Sequence, residues 1–425
     1  MNNKIKLAVA GAVLSAASVA NAGIIIPAGD WTIDINGNVN AYATWIDADK
    51  TKGTAPTEGL AVTRDLVGED RTQTLNTGLL PAWLGFTGTT RQNDLDVSFT
   101  ISFQPNVSDD AVTGDSKTPL NRQAFVTFGD KSWGTVKLGK DLGIFAGQAI
   151  LNDMTLLGVG AALGGVSGTS TTLGGIGTGY IYPAWKGQIA YTTPNMNGFS
   201  ATIAITNPNQ GMGQGRTAAA DAVTGVTTTT MTDLYQDRFG IEGQVMYEWT
   251  GDVSGKVWAS GASYDITSEA SSTTAVTTSA TDDSYTADVY DIGAAINMGN
   301  LGLVGYYYNG DGVGTTLMGN LGAKCASADC KTRDSDGGYV QATYVIPTGT
   351  KLGIAYGVSN LDRASTEASN VTLVDKNDRW TVGAYHPLTK HLNLVAEYNK
   401  IESEGHNSAH KDEQDTFSLG AILFF

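Results

Sequence analysis

Few side chains in this sequence are equipped for covalent or metal chemistry, and they are unevenly placed. All four histidines, His386, His391, His406 and His410, fall in the last forty residues. None accompanies a Gly-x-Ser-x-Gly turn, so the serine nucleophile and activating base of a hydrolase have no counterpart here. Gly158-Val159-Gly160 and the glycines between Gly174 and Gly179 lack the lysine and spacing of a phosphate-cradling loop. Glu402, Glu404, His406, His410, Asp412 and Glu413 crowd one stretch. His406-x-x-x-His410 would present two imidazoles to one metal only on a helix, and a solvated loop is the plainer reading. Cys325 and Cys330, in Cys-Ala-Ser-Ala-Asp-Cys, have no histidine near them and do not make a zinc site. In an exported chain they predict a local disulfide pinning a loop. The expectation is no catalysis, no metal and no cofactor.

The elements that would position these groups follow from composition and pattern. Lys4 and Lys6, the apolar and small-residue stretch Leu7 to Ala20, and Ala20-Asn21-Ala22 form the three parts of an export signal. The mature chain would then start near Gly23. Loss of the two lysines takes the formal net charge from −16 to −18. Such a balance argues against a nucleic-acid partner, which would need a basic surface. No later run of about 20 apolar residues exists to cross a bilayer as a helix. Charged residues make up only 16% of the chain, against roughly a quarter in soluble domains. That deficit fits a surface facing lipid.

The dominant periodicity is two. Phe417, Leu419, Ala421, Leu423 and Phe425 share one face of the last segment, with Ser418 and Gly420 opposite. Phe239, Ile241, Val245, Tyr247 and Trp249 oppose Arg238, Glu242, Gln244 and Glu248; Leu392, Leu394, Ala396 and Tyr398 oppose Asn393, Glu397 and Asn399. Short turns are expected at Arg91–Asp94, Asp130–Trp133, Pro194–Gly198, Thr250–Asp252, Gly299–Asn300, Pro347–Thr350 and Pro387–His391. Between them fall long polar connections at 46–72, 106–120, 141–179, 207–236, 266–283, 310–336, 361–377 and 401–413. Alternating short and long connections are the asymmetry of a transmembrane up-and-down barrel. Seven hairpins plus a strand at each end give sixteen. An even count lets the last strand pair with the first, which matters because an open edge in lipid leaves backbone groups unpaired. Sixteen strands are wide enough for an aqueous channel. Trp31, Trp45, Trp249, Trp258 and Trp380, near strand ends, are expected to form aromatic girdles.

At this point the chain resembles the Gram-negative trimeric general porins from about Trp31 to Phe425. The resemblance rests on Leu84-Gly85-Phe86-Thr87-Gly88, on Asn121 to Val126 followed by Gly134 to Lys140, on Ala190 to Ser200, and on terminal Phe425 of an alternating strand. It implies an all-β fold: a 16-stranded antiparallel transmembrane β-barrel over residues 23–425, with long external loops and an inward-folded third loop at 141–179. It also implies a bacterial outer-membrane address, outer-membrane lipid and lipopolysaccharide around the wall, and a homotrimer passing ions and small hydrophilic solutes by diffusion. In the last long loop, divalent ions could then bridge the acids to lipopolysaccharide phosphates.

The resemblance further implies a constriction in which acids on the third loop face basic wall residues and set a transverse field. This sequence departs from that pattern. The loop holds only Asp141 and Asp153, each readable as pore-facing or as solvated loop, among Leu156, Leu157, Val159 and Leu163. Lys140 stands where the family often has arginine after a Leu-Gly pair, and Trp83 where it often has one in the second strand. Arg122, Lys186 and Arg238 are further wall candidates. Alternation from Val136 and Leu138 points Lys140 at lipid; Gly139 could turn it inward, or it could be a rim lysine reaching for water. The eyelet is expected to be weakly charged and partly apolar, suited to neutral or amphiphilic solutes. A substrate-specific channel is the near alternative. A barrel-anchored adhesin or enzyme is the distant one, since loop length is spread over eight connections and histidines are scarce.

Overall fold

A computed structural model describes residues 23–49, 51–61, 71–107, 120–162, 171–207, 216–220, 227–235, 238–274, 277–318, 321–326, 329–369 and 371–425. The export signal at 1–22 lies outside them.

Sixteen antiparallel strands close into one barrel. The first wall strand is Trp31–Ala48 and the last Lys411–Phe424. They pair from Asn38↔Phe424 to Ala48↔Gln414, so the sheet has no open edge along the wall. Each of the seven short turns joins two paired strands, all at one end of the barrel. Alternation sorts the faces as the sequence demands. Ile241 is 55% exposed on the outside and its neighbour Glu242 1% exposed on the inside. Leu394 and Tyr398 point outward, with Glu397 and Asn399 buried inward.

The second wall strand was legible only in part. It is broken into Arg71–Asn76 and Trp83–Gln92, both paired with the first strand. The intervening residues 77–82 turn into the lumen, where Leu79 and Leu80 are buried. Pro81 cannot donate to a ladder, and inward asparagines of the first strand replace the lost pairing. Asn40 Nδ2 donates to Leu80 O at 2.9 Å and Asn40 Oδ1 accepts from Gly78 N at 2.9 Å; Asn38 Nδ2 donates to Pro81 O at 2.9 Å.

Three expectations change. Residues 266–283 are not a loop: Val253–Thr274 and Thr277–Met298 form one long hairpin in register to Thr274↔Thr277. Residues 207–236 contain a second hairpin, Arg216–Ala220 with Thr227–Tyr235, which joins that extension through Thr229↔Thr273. Threonine-rich composition marked both as polar, and it also favours strands. Trp258 is not in a girdle. It shares the inward parity of Lys256 and Ser260, is 2% exposed, and stacks on Tyr306 at 6.5 Å. Trp45 and Trp380 do face outward, against Phe417 and Tyr356.

Candidate functional site: the constriction

Residues 143–162 and 171–184 lie between the fifth wall strand, Gly134–Leu142, and the sixth, Trp185–Thr192, and fold into the lumen. A short helix, Gly147–Asn152, and a 3-10 turn, Met154–Leu157, give this third loop a packed body. Phe145, Ala146, Ala149, Val159, Tyr180 and Ile181 are almost wholly buried in it. Its small residues permit close approach. A Cβ on Gly158 would come within 1.9 Å of Glu397 Oε1, and Gly160 has φ +58°, a conformation that favours glycine.

Buried carboxylates hold the loop by its backbone. Glu242 Oε2 accepts from Ile144 N at 2.6 Å and Phe145 N at 2.9 Å. Asp291 Oδ2 accepts from Ala146 N at 3.1 Å. Glu397 Oε2 accepts from Val159 N at 2.9 Å and Gly160 N at 2.8 Å. Within the loop, Asp153 accepts from Thr155 N and Gly175 N, each at 2.9 Å. Every one of these acids also receives a tyrosine hydroxyl: Tyr264 on Glu242, Tyr306 on Asp291, Tyr385 on Glu397 and Tyr180 on Asp153. Burial and the adjacent Asp153 push the Tyr180 hydroxyl well above its ordinary value, so it stays a proton donor. Charge-assisted bonds of this kind are about twice as strong as neutral ones. The loop therefore lies against the wall from the eighth strand, Gly240–Trp249, round to the first, where Tyr42 Oη donates to Leu157 O at 2.7 Å. It also meets the broken second strand: Leu79 N donates to Gly158 O at 3.0 Å and Thr172 N to Thr77 O at 3.2 Å.

The sequence-derived site residues separate into two groups. Four stay on or near the inner wall, two of them beside the part the loop leaves open. Asp141 is inward, accepting from Gln123 Nε2 at 3.1 Å and from Lys137. Arg122 sits at a register shift between Ser102 and Phe103 and lies close enough to Tyr182 to act on it electrostatically. Trp83 is inward but packed, edge-on to Phe424 at 6.4 Å, with Nε1 donating to Asn36 Oδ1 at 3.3 Å. Lys186 is inward but buried beneath the loop, donating to Glu242 Oε1 and Tyr264 Oη at 2.7 Å each. The other three are placed away from an eyelet. Asp153 is an internal brace of the loop, as above. Lys140 pairs with Ala124 and Gly187 on the outward face, and Gly139, although at φ +130°, does not reverse its parity. Arg238 is exposed beyond the start of the eighth strand and pairs with Asp265 at 2.5 Å.

Sequence reasoning missed Lys137, Asp291 and Arg379. It put Glu242 and Glu397 on the inner face by alternation, yet the loop amides they anchor lie at least 97 and 237 residues away. Arg379, 3% exposed, donates to Thr178 Oγ1 at 3.1 Å and stands 3.9 Å from Asp153. Cys330 is disulfide-bonded and the register sets Cys325 opposite it. His406 Nε2 lies 2.8 Å from Leu361 O, and His410 Nδ1 accepts from Thr54 N at 2.7 Å. The two tie different loops, and among the described residues no group of three metal-ligating side chains forms.

Solved structures share the architecture. The outer-membrane channel DcaP of Acinetobacter baumannii matches at TM-score 0.61 and 14% identity, over 94% of this chain and 99% of that one. OmpF of Salmonella typhi, solved with daunomycin, matches at 0.56 and 15%, over 95% and 100%. In-vitro folded OmpT of Vibrio cholerae, in its trimer form, matches at 0.54 and 15%, over 93% and 99%. No curated protein matches the sequence. At these identities the structures speak to the fold alone. The family model of the Gram-negative porins matches residues 7–406, and with the closed wall and lumenal loop already described the chain belongs to that family, as an outer-membrane channel for the diffusion of small solutes.

Proposed function

We propose that this porin passes small neutral and amphiphilic solutes through a weakly charged, partly apolar eyelet. One observation carries the reading. The acids that hold the third loop, Glu242, Asp291, Glu397 and Asp153, are buried and occupied with loop amides and tyrosines. Among the described residues, the wall the loop leaves open carries Arg122, Gln123 and the mutually neutralising pair Lys137 and Asp141, with half-buried Leu142 at the strand end and Leu157, Leu173 and Tyr182 on the loop, while the inward Lys256 and Lys351 lie against Gln148 and Tyr385. Opposed rows of unlike charge, which would orient polar solutes, are missing from that set. Planar-bilayer recording tests it: the expectation is stepwise conductance with a cation-to-anion permeability ratio near one and faster flux of phenyl-bearing than of sugar solutes of equal size. A tenfold preference for either ion sign would overturn it. Tight saturation by one sugar would favour the substrate-specific alternative.

Residues 1–22 act in this reading as the export signal, and three copies assemble, as in the trimer form solved for the Vibrio relative. Lipopolysaccharide surrounds the outer rim. Support for that comes from Lys400 and Lys411, meshed with Glu402 and Glu413 at 2.8–3.4 Å on the strands that carry Tyr398 and Phe417 at the lipid face.

A further inference from the structure

Two outer connections come down into the mouth of the barrel and meet the third loop from above. The first is residues 51–61, which follow the first wall strand. Their end is held on the inner wall by the fourteenth and fifteenth strands, Val374–Pro387 and Leu392–Gly405. Leu60 N donates to Ser403 Oγ at 2.8 Å and to Asn377 Oδ1 at 3.1 Å, and Ala61 N donates to Ser403 Oγ at 3.0 Å. Leu60 and Ala61 also pack with Ala161 of the third loop. The second is residues 312–318, which follow the eleventh strand, Leu301–Asp311. Val313, Thr315 and Met318 are buried there. Thr316 O accepts from Tyr182 N at 2.9 Å.

The two connections meet at Gly177. A Cβ there would come within 2.6 Å of Leu60 Cδ1 and 3.0 Å of Thr316 Oγ1, and its φ of +77° favours glycine. Gly177 belongs to the return leg of the third loop, residues 171–184. The loop amides that Glu242, Asp291 and Glu397 accept all belong to the outgoing leg, between Ile144 and Gly160. Yet the return leg carries Leu173 and Tyr182, two of the half-buried side chains beside the open wall. Packed interiors deform little, so a shift of either connection is passed on to Tyr182 rather than absorbed.

We propose that residues 51–61 and 312–318 are an upper jaw of the constriction. Leu60 and Thr316 clasp the third loop at Gly177, and the Thr316 carbonyl positions Tyr182. The width of the passage is then set from outside the membrane as well as by the acids of the wall. The inference goes beyond the neutral-solute reading and stands apart from it, since the jaw governs size rather than charge.

The test uses the full chain in planar bilayers and in liposomes with graded sugars. Leu60→Cys combined with Thr316→Cys, checked for folding by its heat-modifiable mobility, is expected to loosen the return leg. Open-channel current noise should roughly double and the exclusion limit should rise. A short bis-maleimide added from the side of these connections, with the bridge confirmed by mass, is expected to restore the quiet current and the wild-type limit. The native cysteines are engaged with each other and take no part. Either cysteine alone, treated in the same way, is expected to stay noisy. Leu60→Met, which conserves volume, is expected to match the wild type. A quiet double variant with an unchanged limit, or noise that persists in the bridged channel, overturns the jaw. So does a lower unfolding temperature with neither change in permeation, which would reduce the contact to packing. Gly177→Ala sets a methyl group between Leu60 and Thr316 and is expected to be noisy as well; a quiet channel from it counts against the clasp.

Discussion

The Glu397 carboxylate accepts the N–H of Gly160 at 2.8 Å, joining the fifteenth wall strand to the far turn of the third loop. The same oxygen serves Val159 N, and its mate takes the Tyr385 hydroxyl at 2.7 Å. Truncation would leave these donors buried without an acceptor, at about 1–3 kcal/mol each. Glu397→Ala is expected to free the loop turn, giving larger and noisier single-channel currents and a lower unfolding temperature. Glu397→Gln, which keeps one acceptor oxygen, is expected to fall between. Equal, quiet conductance in all three proteins would show that the turn is held elsewhere.

Lys186 and Glu242 form a pair with side chains 3% and 0% exposed. Removing one partner of a buried pair leaves an uncompensated charge, typically at about 3–5 kcal/mol. Lys186→Met is therefore expected to destabilise the folded barrel by about that amount in urea titration from detergent. A loss below ~1 kcal/mol would mean that water reaches the site.

How much of this was legible follows from the range of each signal. The wall was readable because alternation and turn chemistry are local: Ile241 and Glu242 sort themselves without reference to any distant residue. The constriction was only half readable. The length and glycines of residues 141–179 pointed inward, but the anchor of each turn is a wall acid over a hundred residues away or close to it. Asp153 looked like a free loop acid because nothing nearby in sequence marks Thr155, Gly175 and Tyr180 as its donors. Lys140 is the instructive case. Strict parity placed it outward, and the structure agrees with parity over the glycine-bend alternative. The long external hairpins were misread because Thr and Ser suit both loops and strands.

Leu79 ties the break in the second strand to the third loop through its backbone and fills the space beside Gly174 with its side chain. Leu79→Ala leaves a cavity there, at about 2–3 kcal/mol for a site that relaxes partly. The expected result is a larger exclusion limit in liposome swelling with graded sugars. An unchanged limit together with the lost stability would confine this contact to packing.

Outside the membrane, Arg333 grips Glu367 with Nε at 2.8 Å and Nη2 at 2.6 Å, while Glu367 also accepts Ala364 N at 2.9 Å. The guanidinium holds the Glu367 carboxyl below its ordinary value. A depressed carboxyl contributes its stability above the unfolded pKa, about 4.3, and loses it as pH falls through the folded one. The connection at residues 362–369 is thus expected to resist an acid-active protease such as pepsin through the ordinary carboxylate range and to become cleavable at lower pH than in a variant without the pair. Cleavage of Glu367→Gln at pH 5 but not of the wild type would confirm the cause; equal resistance would reject it.

The paired strands Val253–Thr274 and Thr277–Met298 outrun their neighbours, since the eighth strand reaches only Ser263 and the eleventh only Asp288. With the hairpin Arg216–Ala220 and Thr227–Tyr235 beside them, they make a four-stranded blade beyond the rim. Eleven residues at about 3.3 Å each give it a length of roughly 36 Å. A peptide grafted between Thr274 and Thr277 would be carried beyond the rim, at the tip of the paired strands and clear of the third loop.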